Sequence, residues 1–318
     1  MRAPQRYHWQ CAQLRRTDRV SVSERLQWEI DGRDWPNRSN SRFVKAAGLH
    51  WHVQQFGPAP DDAPVIVLLH GTGSSSHSWR DVAPLLAIRY CVIVMDLPGH
   101  AFTTMPPNVE QSLAGMARNV AALLDALKIS PTVIVGHSAG AAVAARMILD
   151  RSIAPAALVS INGAFLAFGG LAGQFFSPVA RLLAAGSIAS RFFAWQAKDA
   201  AIVQKLIRGT GSTLDAVGVD LYARVVSSPG HVSAALAMMA HWDLEPLERA
   251  LPGLTLPVWM VAAENDATVP ASQAALVARR LPQSRQVLWP MLGHLAHEES
   301  PAQCAALLKG VVEEVLQK

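Results

Sequence analysis

Two rhythms of apolar and polar positions alternate along this chain. Short, mostly apolar runs recur at residues 65–69, 92–95, 133–135, 157–161, 257–262 and 286–289. Brief runs with little polar interruption are the signature of strands buried on both faces. Between them lie longer stretches with helical spacing, at residues 77–87, 111–127, 139–149, 272–280 and 301–316. Near the start, residues 43–47 and 50–54 predict a hairpin over Gly48. Strand–helix alternation of this kind predicts an α/β fold, with a mostly parallel central sheet flanked by helices.

The alternation stops between 164 and 254. That stretch offers helical patterns broken by Gly and Pro, and it holds Phe165, Phe168, Phe175, Phe176, Phe192, Phe193, Trp195, Met238, Met239 and Trp242. It reads as an inserted helical cap over the strand ends, where open α/β sheets bind ligands. The core is then 26–163 and 255–318. Taken singly, each of these aromatics and methionines is better read as core than as ligand-facing.

Composition adds limits. The 318 residues are 51% hydrophobic and 16% charged, which excludes a disordered chain. Cys11, Cys91 and Cys304 are too far apart for a disulfide framework or a CxxC metal site, which suits a reducing cytoplasm. Cys91 reads as a small buried hydrophobe. The net charge of +4 resides entirely in residues 1–25, where six arginines face Asp18 and Glu24. The rest is neutral, so nothing suggests nucleic acid. The arm reads as a solvated, disordered tail, with weak contact to an anionic membrane surface as the alternative. No charge falls between Arg151 and Arg181. Pro155, Asn162, Gln174, Pro178 and glycines interrupt that run, so it reads as a buried strand and an apolar loop rather than a membrane span.

The candidate chemistry centres on Gly136-His137-Ser138-Ala139-Gly140, between an apolar run and an alanine-rich segment. A GxSxG turn between strand and helix is a nucleophile elbow, which lifts the serine hydroxyl clear of the sheet. A serine needs a base, and the base an orienting acid, in the chain order Ser, Asp, His. Asp266 and His294 occur in that order, each in the loop after an apolar run. Glu264 is the rival acid and His297 the rival base. Asp266 has an alternative role as a cap for the helix near Ser272, although Ser272 is the nearer cap. His294, His297 and Glu298 also look like a metal cluster, but lack a clear third ligand. His50 and His52 share a strand face and read as structural. The backbone N–H groups of Ala139 and of Thr72, in His70-Gly71-Thr72-Gly73-Ser74, are the candidate oxyanion donors. No cofactor motif occurs.

Together, His70-Gly71-Thr72-Gly73, Met95-Asp96-Leu97-Pro98-Gly99-His100, the elbow, Asn265-Asp266-Ala267-Thr268-Val269-Pro270 and Gly293-His294 resemble the α/β-hydrolase superfamily. Ala101 departs from it, standing where the superfamily usually has Gly. More specific stretches are similar to the magnesium chelatase accessory proteins of bacteriochlorophyll synthesis: Asp31 to Arg38, Ser41 to Val44, Trp51 to Gln54, Thr72 to Asp81, Gly136 to Ala142, Ser228 to Val232, Met238 to Ala240 and Gly293 to Glu299. That resemblance spans nearly everything from Leu26 onward. It implies a role near magnesium insertion into protoporphyrin, with contact to chelatase subunits and a porphyrin or other apolar small molecule as ligand. A serine nucleophile is not needed for metal insertion. Three functions therefore stand: an esterase-like hydrolase, a porphyrin-binding or delivery protein on a hydrolase scaffold, and a carboxylesterase or C–C bond hydrolase unrelated to pigment.

Overall fold

The computed structural model describes residues 24–166 and 187–317. Eight strands form one sheet: β1 (Ser41–Ala46), β2 (Leu49–Phe56), β3 (Val65–Leu69), β4 (Cys91–Met95), β5 (Val133–His137), β6 (Ala157–Ile161), β7 (Val258–Ala263) and β8 (Ser284–Trp289). Their order is β1-β2-β4-β3-β5-β6-β7-β8. β1, β2 and β4 pair antiparallel, and every other neighbour pair is parallel.

The opening hairpin pairs Ala46 with Leu49. Its two turn residues, Ala47 and Gly48, have φ of 50° and 74°, the double left-handed turn that matches strand twist. The apolar runs become interior strands because both sheet faces are covered. Along β3, Val65, Val67 and Leu69 join one core while Ile66 and Leu68 join the other. β4 splits the same way, with Cys91, Ile93 and Met95 opposite Val92 and Val94. The first core is closed by helices Leu113–Ala126 and Ala139–Leu149, the second by Val82–Leu86 and Pro301–Leu316. Cys91 and Cys304 are free and buried, and Cys11 lies outside the described residues.

Two expectations change. The helix expected over 77–87 divides into a 3₁₀ turn at Ser76–Trp79 and a helix at Val82–Leu86. Pro84 has no N–H and its ring would meet the carbonyl of Arg80, so the helix restarts with the proline in its first turn. The helix expected from Ser272 begins at Ala271, and Pro270 at its N-cap makes no side-chain bond, so Ser272 is not the cap.

Between β6 and β7 the described chain is helical: Ser187–Gln196, Ala200–Gly209, Ala216–Val226, Pro229–Ala240 and Glu245–Ala250. Three of these start on sequence-evident caps, where Asp199, Asp215 and Ser228 accept from Ala201, Gly218 and His231 N–H. A third core, including Trp35, Phe102, Ile207, Tyr222 and Leu295, joins this insertion to the sheet ends. Among the described residues no helix is long and apolar enough to cross a membrane. The strand expected in the uncharged run is β6; most of the apolar loop expected after it lies outside the described residues.

Candidate active site

Ser138 follows β5 directly, with φ 52° and ψ −119°. A non-glycine residue in that region stores about 1–3 kcal/mol of strain, and here the surroundings enforce it. Its N–H donates to Ile161 O at 3.0 Å, and its carbonyl accepts from Ala141 and Ala164 N–H, both at 3.1 Å. The glycines on either side are required by contact. A Cβ on Gly136 would lie 2.3 Å from Ala141 N, and one on Gly140 would lie 2.6 Å from the carbonyl oxygens of Leu69 and His70. Side-chain-free positions thus let the helix after the serine press against the end of β3.

Asp266 follows β7. Its Oδ1 accepts from Thr268 and Val269 N–H at 2.7 and 2.8 Å, and its Oδ2 meets His294 Nδ1 at 2.7 Å. Asp266 therefore folds its own loop and faces the histidine; it does not cap the following helix. The acceptor at Nδ1 fixes the tautomer with the proton there, leaving Nε2 as the basic nitrogen. Glu264 accepts from Met291 N–H at 3.2 Å and is exposed. His297 is buried against Trp79 and His137, at ring separations of 4.4 and 4.5 Å. Neither of its ring nitrogens has a hydrogen-bond partner, and burial pushes its pKa down to about 3. Among the described residues, no group of three His, Cys, Asp or Glu is placed to hold a metal ion. His52 is structural: fully buried, it meets Asp96 Oδ2 at 2.8 Å, while His50 is exposed.

Ser138, His294, Thr72 and Ala139 all line one cavity of about 490 Å³. Its wall is largely apolar, with Leu206, Ile207, Met239, Trp242, Leu244 and Leu295, and no lysine or arginine occurs among the described lining residues. The Thr72 loop is braced on both sides. His70 accepts from Leu97 N–H at 2.8 Å and donates to Gly71 O at 2.8 Å. His231, from the insertion, accepts from Ala101 N–H and donates to Gly73 O, both at 3.0 Å. Burial lowers its pKa to about 4, which keeps it neutral for both bonds. Ala101 has φ 39°, a backbone region that suits the glycine usual there. Tyr222 sits on the cavity wall, within 3.1 Å of Ser74 Oγ, and donates to Glu298 Oε1 at 2.8 Å. Glu298 also pairs with Arg80 at 2.9 Å, yet desolvation raises its pKa to about 7.

Several residues that order the site escape sequence reading. Asn162, after β6, donates to Gly293 O at 3.1 Å and His294 O at 2.9 Å, while its Oδ1 accepts from Ala263 N–H at 2.8 Å. It thereby ties the loops after β6, β7 and β8. A polar residue closing an apolar strand was its one local signal. His137 donates from Nε2 to the same His294 carbonyl at 2.9 Å. From the insertion, Thr210 O accepts from Ala267 and His294 N–H, both at 3.2 Å, and Ser212 Oγ accepts from Leu295 N–H at 2.8 Å. No local pattern marks those two.

A buried strand–elbow–helix, with Asp266 and His294 in contact on the loops after two later strands, defines a class. Residues 66–307 match the alpha/beta hydrolase family, and the chain belongs to it. An alpha/beta hydrolase fold protein from Burkholderia ambifaria superposes with a TM-score of 0.69 at 27% identity, covering 84% of this chain and 98% of that one. Within the family, the chain is 39% identical to the magnesium-chelatase 30 kDa subunit of Rhodobacter capsulatus, over 83% of this chain and 92% of that protein. It is 28% identical to a pimeloyl-[acyl-carrier protein] methyl ester esterase of Aeromonas hydrophila, over 82% and 98%.

Proposed function

We propose that this protein is a serine hydrolase that cleaves an ester of an apolar small molecule. In this reading it serves as a magnesium chelatase accessory protein of bacteriochlorophyll synthesis in the cytoplasm, with residues 164–254 as the cap over its site. The observation behind the chemistry is the 2.7 Å contact of Asp266 with His294, on the cavity that Ser138 enters from a strained elbow. Ser138 Oγ attacks the ester carbonyl and gives its proton to His294 Nε2. The N–H groups of Thr72 and Ala139 hold the oxyanion, and Asp266 stabilises the imidazolium. His294 then protonates the leaving alkoxide. A water attacks the acyl-enzyme by the same route in reverse and releases the acid. The likeness to the Rhodobacter capsulatus subunit supports the pigment role and a contact with chelatase subunits.

A fluorophosphonate probe tests the chemistry. The native protein should label and Ser138→Ala should not; an unlabelled native protein, beside a labelled control hydrolase, overturns the reading. Introducing Ser138→Ala in the source organism tests the pigment role, with loss of bacteriochlorophyll expected at a normal level of the variant.

A second reading, a porphyrin-binding protein that leaves the serine unused, draws on the apolar wall with Tyr222, Met239 and Trp242. It requires protoporphyrin IX to bind Ser138→Ala with an absorbance shift, and pigment to be normal in that strain.

A further inference from the structure

We propose that the Ser187–Gln196 and Ala200–Gly209 helices dock this protein onto an anionic lipid bilayer, with Phe192, Phe193 and Trp195 entering the headgroup region. These three side chains are 52%, 41% and 66% exposed. Phe192 lies 6.0 Å from Phe193 and 6.2 Å from Trp195 between ring centroids, so they form one contiguous patch. The opposite sides of the two helices already serve the fold, through buried Ala194, Ala197, Val203 and Ile207. Among the described residues, the aromatic side is not part of a buried core. A soluble surface seldom exposes clustered large aromatics without a partner to cover them.

Charge identifies the partner. Lys198, Lys205 and Arg208 are exposed in this helix pair, against Asp199, whose carboxylate caps Ala201 N–H, while Arg191 pairs with Glu24. The start of the described chain packs beside this helix pair. Glu24 O accepts from Gly230 N–H at 2.6 Å and Ser228 Oγ at 3.0 Å, and its carboxylate receives Arg191 Nε at 3.2 Å. Aromatic rings among snorkelling cations are the chemistry of a bilayer interface, where rings seat at headgroup depth and cations meet phosphates. A second copy would oppose two cationic rims, which disfavours self-association. Leu206 is 61% exposed and also lines the cavity, so the docked helix pair forms part of the mouth. An apolar ester dissolved in the bilayer would then reach Ser138 without crossing bulk water.

Flotation of the full-length protein tests this, using vesicles of phosphatidylcholine alone and of phosphatidylcholine mixed with phosphatidylglycerol. The native protein should float with the anionic vesicles, less so as salt is raised. Phe192→Ser with Trp195→Ser should weaken that binding by on the order of tenfold or more. Lys198→Gln, Lys205→Gln and Arg208→Gln together should weaken it and flatten its salt dependence. Fluorophosphonate labelling and the unfolding midpoint report that the fold is kept. The proposal is overturned if the native protein floats with neither vesicle, or if the aromatic double variant floats undiminished. It is equally overturned if the patch instead mediates a lipid-free dimer that the double variant abolishes. Failure here leaves the serine chemistry intact, because labelling is read independently.

Discussion

His297→Leu should stabilise this protein selectively at low pH. The histidine is fully buried between Trp79 and His137, with both ring nitrogens unpartnered, and its pKa falls to about 3 from an ordinary 6.5. Leu is similar in volume and has no polar atom to desolvate. At neutral pH two effects compete. Removing buried, unpaired polar atoms gains about 1–3 kcal/mol, and losing the two ring contacts costs about 1 kcal/mol. A gain of roughly 0–2 kcal/mol is the expected balance. The pH dependence is cleaner. Because the folded-state pKa lies below the unfolded one, the unfolded chain holds the extra proton between about pH 3 and 6.5. Native stability is therefore lost as pH falls below 6.5, and Leu removes that loss. Between about pH 7.5 and about pH 5.5 the advantage of the variant should grow by ~1.4 kcal/mol. Urea titrations at both pH values, followed by tryptophan fluorescence with an unchanged slope, measure that growth. Growth below about 0.5 kcal/mol, or of opposite sign, would refute the assignment of His297 as a neutral, unpaired ring.

Three further changes probe the site itself. Asp266→Asn keeps an oxygen for Thr268 and Val269 N–H but mismatches His294; turnover of a chromogenic ester should fall on the order of 10⁴-fold with the unfolding midpoint nearly unchanged. Asn162→Ala unties three loops, so kcat should fall by about 10²-fold, more than KM changes, with partial recovery in Asn162→Gln. Gly140→Ala places a methyl 2.6 Å from two carbonyl oxygens of the β3 end and should cost about 1–3 kcal/mol in urea unfolding.

The sheet was legible because its inner strands are buried on both faces. Ile66 and Leu68 pack one way, Val65, Val67 and Leu69 the other, so the run has no polar gap. At the edge that signal fades. β8 starts at Ser284, two residues before the expected position, since Ser284 and exposed Arg285 carry no apolar mark. Pro84 was a legible helix break that apolar spacing alone overrode. The placement of Ser138, Asp266 and His294 could be read because Ser138 follows β5 directly and the other two lie in the loops after β7 and β8, and parallel strands present those ends on one edge. The braces could not. Asn162 and His294 are 132 residues apart, and His231 reaches Gly73 across 158. Nothing local in the sequence encodes such pairings.

Those braces bear on what the helical insertion does. A lid that only covered the cavity would touch the strand-end loops through side chains lining its rim. Here the backbone of the insertion is threaded between the loops that carry Asp266 and His294. Thr210 O binds N–H groups from both, Ala267 beside Asp266 and His294 itself. A Cβ on Gly211 would lie 1.8 Å from Asn265 O, and one on Gly293 would lie 2.3 Å from Gly211 carbonyl carbon, so only glycines permit the approach. The 2.7 Å contact of Asp266 with His294 is thus set partly by chain that is neither strand nor strand-end loop. His231 does the same for the Thr72 loop through Gly73. A shift of the insertion would move the Asp266–His294 contact and the Gly73 loop together, because its backbone and His231 bond to both.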